Sequence, residues 1–106
     1  MKTKFSERVL ELTRKIPEGK VTTYSEIARA LGKPGASRAV GNALNKNKCP
    51  DRIPCYRVVR SDGSVDGYAK GTAKKIRLLR KDGIGIKNGK ADLKRHFHSL
   101  GLSGEM

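Results

Sequence analysis

The side chains in this sequence with the most covalent chemistry available to them are two thiols, Cys49 and Cys55, separated by five residues in a stretch rich in lysine and arginine. Cysteine acts as a nucleophile or metal ligand through its thiolate, and cationic surroundings favour that form by lowering a thiol pKa of about 8.5. Two cysteines are too few for a disulfide scaffold, and with no further Cys or His close by they do not spell a zinc site. The five-residue gap leaves a disulfide between them open. Cys55 follows Pro54 and precedes Tyr56-Arg57; it is either a buried structural thiol, a common fate of free cysteine, or a nucleophile. Cys49 reads as an incidental loop thiol. His96 and His98 lie near the C-terminus and are expected in solvent.

The charge around these thiols points to a partner. The chain has 24 Lys+Arg against 10 Asp+Glu, a formal net charge of +14, and residues 35–83 hold 12 of the basic and 4 of the acidic side chains. Such a field attracts polyanions, nucleic acid first, anionic membrane second and acidic protein third. The competing reading is a solvated face that keeps the protein soluble. Hydrophobic residues make up 36% of the 106, and no apolar run approaches the roughly 20 residues of a membrane span. Met1 to Ser6 is basic and polar with no apolar segment behind it, which argues against a secretory signal. The expected location is the cytoplasm, on the nucleoid in a prokaryote.

A chain of this length fits one compact domain. Phe5, Val9, Leu12 and Ile16 recur at helical spacing, with Ser6 as the expected N-cap, Glu7 in the first turn and Pro17 with Gly19 as the stop. A short strand over Lys20-Val21-Thr22 leads to Thr23-Tyr24-Ser25-Glu26, the pattern of a capping box, ahead of a helix with Ile27, Ala28 and Leu31 that closes at Gly32. Lys33-Pro34-Gly35-Ala36 is a turn, and Val40, Ala43 and Leu44 define a second helix. This pair is a helix-turn-helix candidate. Asp62-Gly63, between Val58-Val59 and Val65, has the composition of a hairpin turn and predicts a wing. Thr72 is the expected cap of a helix through Ile76 and Leu79, closed by Gly83, with Lys74, Lys75, Arg77, Arg80 and Lys81 on its exposed face. Asn88-Gly89 marks a turn, and Leu93, Phe97 and Leu100 predict a last short helix. The fold class is therefore α+β, a small winged helix-turn-helix domain with a short β-hairpin wing. It is one domain over residues 1–106, with a core over about 5–83 and an extension over 84–106.

Several strings together are specific. Gly19-Lys20-Val21-Thr22-Thr23-Tyr24, Ser37-Arg38-Ala39-Val40-Gly41-Asn42-Ala43-Leu44, Asn47, Ile53-Pro54-Cys55-Tyr56-Arg57-Val58-Val59 and Gly67-Tyr68 stand in this order. In these strings the chain resembles the DNA-binding and active-site domain of the alkylguanine-DNA alkyltransferases, the methylated-DNA–protein cysteine methyltransferases. In length it is similar to the short alkyltransferase-like proteins, which replace the reactive cysteine; this chain keeps Cys55.

The resemblance implies a mechanism. A recognition helix lies in the minor groove of double-stranded DNA containing alkylated guanine, with Ser37, Arg38, Ala39 and Gly41 at the duplex. Arg38 takes the place of an extruded nucleotide, and Tyr24 sits against the 3′ phosphate. Small residues, Ala39, Gly41 and Ala43, let the helix backbone approach the groove. Cys55 accepts the alkyl group from the flipped base, Tyr68 hydrogen-bonds that base, Asn47 braces the turn around the site, and Arg57 joins the DNA contacts. The transfer is irreversible, each molecule acts once, and no cofactor or metal is implied. A monomer is expected, with no membrane partner.

The family usually has histidine after the reactive cysteine and a glutamate holding it; here those places fall to Tyr56 and Asp82. A phenol titrates at about 10 and is a poor base at neutral pH beside an imidazole at about 6.5. Two compensations suggest themselves: the basic field lowers the thiol pKa, or it partly ionises Tyr56. Asp82 is one methylene shorter than glutamate, so its reach to Tyr56 is in question. Three functions therefore compete. The leading one is alkyl transfer to Cys55. The second is a lesion sensor that binds alkylguanine and recruits another repair protein, and the third is a winged-helix transcription regulator.

Overall fold

The computed structural model describes residues 4–46, 53–65 and 71–100. Helix α1 spans Phe5–Arg14 and buries Val9 and Leu12, with Ile16 just beyond it. It starts two residues earlier than the Ser6 cap predicts: Lys4 is the cap, and its N–H donates to the Glu7 carboxylate at 3.2 Å. Glutamate at the third helical position reaches back over the first turn, so the helix needs no serine there.

Strand β1 (Thr22–Thr23) leads into α2 (Tyr24–Ala30), and a turn connects α2 to α3 (Ser37–Asn45). Thr23 caps α2 as expected, its hydroxyl accepting the Glu26 N–H at 3.0 Å. The reciprocal half of the box does not form. The Glu26 carboxylate instead accepts from Arg29 at 2.8 and 2.7 Å and from the Leu100 N–H at 2.7 Å, tying the far end of the described chain to α2. Gly32, at φ +76, ends α2 in a Schellman motif, in which its own N–H reaches the Arg29 carbonyl and the Lys33 N–H reaches that of Ala28, both at 2.9 Å. Helices α1, α2 and α3 enclose the main core, which Val58, Cys55 and Leu100 complete.

After a 3₁₀ turn at Cys55–Arg57, β2 (Val58–Val59) pairs in parallel with β1, Thr22 opposite Val58 and Thr23 opposite Val59. The Asp62-Gly63 turn forms, with Gly63 N–H to Arg60 carbonyl at 2.8 Å and Arg60 N–H to Ser64 carbonyl at 3.0 Å. Its arms differ from the expected ones. Val58 and Val59 are both buried, the pattern of a strand covered on two faces, and they pair with β1. Ser64 bridges to Lys90 instead. Gly63 passes so close to residues 90–91 that a Cβ there would lie 2.6 Å from the Ala91 carbonyl oxygen. The regular hairpin is β3 (Ile86–Lys87) with β4 (Lys90–Ala91), turning at Asn88-Gly89 with φ 55 and 74.

Helix α4 (Thr72–Lys81) begins with Thr72 inside it and Gly71 at the cap, and the chain reverses at Gly83, φ +88. Lys75 is fully buried, contrary to its expected place on the exposed face. Helix α5 (Leu93–His96) is a single turn, because Phe97 leaves it to bridge Val21, with the His98 N–H on the Val21 carbonyl at 2.7 Å. A second core of Val21, Val59, Val65, Leu79, Ile84 and Ala91 joins α4, the hairpin and β2. No helix of the described residues is long and apolar enough to cross a membrane.

Candidate active site and nucleic-acid interface

Helix α3 buries Val40, Ala43 and Leu44, which turns Arg38, Asn42 and Asn45 outward. A cleft of about 490 Å³ runs along that outer side, walled by Tyr24 and Ser25 of α2, by Ser37, Arg38, Gly41, Asn42 and Asn45 of α3, and by Arg60 and Ser61 after β2. Four of the residues expected at DNA, Tyr24, Ser37, Arg38 and Gly41, therefore share one surface. Ala39 is exposed on α3 but is not part of the cleft wall, and Ala43 faces the core instead of the groove. The arginine side chains of the wall meet no carboxylate in it, which suits an anionic ligand. Arg38 makes no hydrogen bond or ion pair among the described residues and is exposed.

Ser25, Asn42, Asn45, Arg60 and Ser61 were not among the expected contacts. Arg38, Gly41, Asn42 and Asn45 repeat at i, i+3, i+4 and i+7, the complement of the buried Val40, Ala43 and Leu44, so helical periodicity identifies Asn42 and Asn45. Arg60 and Ser61 have no such signal.

Tyr24 is half-buried between α3 and α4. Its ring packs beside Gly41 of α3, where an added Cβ would lie 3.8 Å away in ordinary contact. On the other side the Lys75 ammonium lies 5.8 Å from the ring centroid and donates to the Val58 carbonyl at 2.6 Å. A lysine is rarely fully buried unless paired, and here the carbonyl and the aromatic face receive its charge.

Cys55 is buried at 7% exposure, and its thiol points at the Leu44 carbonyl in the last turn of α3 at 3.7 Å. It does not wall the cleft. The backbone at Pro54 and Arg57 turns tightly here, with Cys55 N–H to Ile53 carbonyl at 2.8 Å and Arg57 N–H to Pro54 carbonyl at 2.9 Å.

Tyr56 and Asp82 do meet: the phenol donates to Asp82 Oδ2 at 3.1 Å, so the shorter carboxylate reaches after all. Burial pushes the Tyr56 phenol above its ordinary value; the Arg57 charge opposes this and the Asp82 charge adds to it. Burial and the proton shared with Asp82 both favour the neutral phenol. Arg57, expected among the DNA contacts, is turned inward instead. Its Nε donates to Asp82 Oδ2 at 2.7 Å and its terminal nitrogen to the Ile16 carbonyl at 2.9 Å, so it braces α1 against the end of α4. His96 also departs from expectation, since its ring nitrogens sit 3.2 Å from the Gly19 carbonyl and 3.3 Å from the Gly85 N–H. Asn47, Cys49 and Tyr68 lie outside the described residues.

Residues 4–84 match a family model described as 6-O-methylguanine DNA methyltransferase, DNA binding domain. The chain is 54% identical over 85 residues to a bifunctional methyltransferase/endonuclease of Picrophilus torridus, covering 80% of this chain and 28% of that protein. It is 43% identical over 84 residues to a methylated-DNA–protein-cysteine methyltransferase of Methanothermobacter thermautotrophicus, covering 79% and 47%. It thus spans less than half of either relative. Among solved structures, S. pombe Atl1 in complex with damaged DNA containing O6-carboxymethylguanine superposes with a TM-score of 0.81 at 29% identity, covering 94% of this chain and 100% of that one. Mycobacterium tuberculosis OGT in complex with DNA gives 0.72 at 39% identity, covering 77% and 51%.

Proposed function

The chain belongs to the 6-O-methylguanine DNA methyltransferase DNA-binding-domain family, and on that premise we propose that it repairs O6-alkylguanine in double-stranded DNA by moving the alkyl group to Cys55. The outer side of α3 enters the minor groove, Arg38 occupies the space of the extruded nucleotide, and Tyr24 bears on the neighbouring phosphate. The flipped base presents its alkyl carbon to the Cys55 sulfur. The S–C bond forms as the C–O6 bond breaks, and the electron pair passes to the guanine, which becomes the O6 carbonyl form by taking up a proton at N1 from its surroundings. The thiol gives up its own proton before attack. The thioether persists, so one molecule repairs one lesion as a monomer, without cofactor.

The observation that carries this reading is the placement of one buried thiol against the last turn of the helix that walls the cleft. Burial of Cys55 fits a nucleophile that meets only an everted base. The test is intact mass after mixing with an oligonucleotide duplex carrying O6-methylguanine. The expected result is one added methyl group, mapped to Cys55, absent from Cys55→Ser, with lesion binding kept in that variant. Transfer that persists in Cys55→Ser would sink the assignment.

Tyr56 in the place of the family's histidine favours a second reading, a lesion sensor that holds the flipped base and recruits another repair protein. A stable complex with the methylated duplex and no change of mass would select it.

A further inference from the structure

We propose that the outward face of α4 is a second docking surface for the phosphate backbone of a DNA duplex, separate from the cleft between α2 and α3. This goes beyond the alkyl-transfer reading and needs only its premise that the cleft holds a duplex. At about 100° per residue, Lys75 and Leu79, both fully buried, mark the inner side of α4. Arg80, Arg77, Lys81 and Lys74 fall in the opposite arc, roughly 140° to 260° away, and all four are exposed. The inner side is directed at Val58 and at Tyr24, which walls the cleft. The four cations therefore point away from the cleft, and none of them is in its wall.

Among the described residues nothing neutralises this face. None of the four has an ion pair among the described residues. Asp82, at the end of α4, is turned inward onto Tyr56 and Arg57. A merely solubilising helix face intersperses charges of both signs. Here Arg77 and Lys81 are like charges four apart, and Lys74 and Arg77 three apart, spacings that weaken an isolated helix. The helix dipole accounts for Arg80 and Lys81 in the last turn but disfavours Lys74 in the first, where α4 has no acidic residue.

The occupant follows from charge and shape. From Lys74 to Lys81 the stripe runs about 10 Å, at 1.5 Å per residue, which matches about three phosphates of one strand at roughly 3.4 Å each. A membrane surface is disfavoured, since the apolar side of α4, Ile76 and Leu79, is packed in the second core and none is left to insert.

The experiment uses the whole chain bound to a bead-tethered short duplex. A labelled plain duplex is then added at low salt, and retained label is measured for the wild type and for the double variant R77E/K81E, with melting curves to verify folding. The wild type is expected to retain the second duplex. The double variant is expected to retain about tenfold less or lower still, with binding to the tethered duplex changed far less. Equal retention by the variant overturns the proposal, as does a wild type that binds the tethered duplex and captures nothing, an outcome that leaves the cleft reading standing. Retention of a labelled polyglutamate peptide but not of the duplex assigns the face to an acidic protein and also overturns it. Failure to bind the tethered duplex overturns both readings.

Discussion

The Tyr56 hydroxyl and the Asp82 carboxylate are joined at 3.1 Å, and the same oxygen of Asp82 receives Arg57 Nε at 2.7 Å. A phenol projects farther than an imidazole, so a carboxylate one methylene shorter than glutamate still meets it. The donated proton commits the phenol to Asp82, and burial keeps it protonated. In the proposed transfer, Tyr56 therefore does not serve Cys55 as a base.

Tyr56→Phe removes the hydroxyl and keeps most of the volume. The single-turnover transfer rate is expected to fall less than about tenfold, or roughly 1.4 kcal/mol, and a thousandfold loss would make the phenol essential. The wild-type rate should climb with pH through the titration of the thiol alone. A separate step at about 6.5, the histidine range, would contradict this, since Tyr56 stays neutral there.

Arg38→Ala tests the outer side of α3. Because the guanidinium has no partner among the described residues, its removal costs the fold little. Competition titrations with methylated and plain duplexes should show a larger loss on the methylated one, by about 1–3 kcal/mol, the size of a base-level contact. Equal losses on both would make Arg38 a phosphate contact.

Glu26 links pH to the tether between α2 and the chain beyond α5. Its hydrogen bond from Arg29 holds the carboxyl below the usual range; burial opposes this, and the Leu100 N–H and Arg29 charge assist. A depressed folded pKa stabilises above the unfolded value, about 4.3, and that stability is lost as pH falls through the folded pKa. Glu26→Gln should therefore lower stability at pH 7 by about 1 kcal/mol, a figure reduced by the exposure of Arg29. Urea melts should show the gap to wild type closing with acid, and a gap unchanged down to about pH 3 would refute the linkage.

Lys75→Met keeps an unbranched side chain but leaves the Val58 carbonyl without its ammonium donor. The expected loss is about 1–3 kcal/mol, the cost of a buried polar group left unmatched, while Lys74→Met on the outer face should change stability by less than about 0.5 kcal/mol. Equal effects in thermal melts would contradict the buried placement.

Local rules carried much of this protein. The faces of α1 and α3, the Thr23 cap, the reversals at Gly32 and Gly83 and the Asn88-Gly89 hairpin follow from periodicity and turn chemistry among near neighbours. The strings around Arg38 and Cys55 likewise carry the family resemblance in the sequence itself. Tertiary structure decided which of two adjacent lysines goes inside, because only Lys75 finds the Val58 carbonyl, 17 residues away in sequence. It also paired β2 with β1 instead of across the Asp62-Gly63 turn, turned Arg57 inward to Asp82 and Ile16, and gave Glu26 to Leu100. Each is a choice between partners distant along the chain. Periodicity and caps register only neighbours within about four residues, whereas burying a charge or a strand edge is decided by whichever donor or acceptor the folded chain brings within reach.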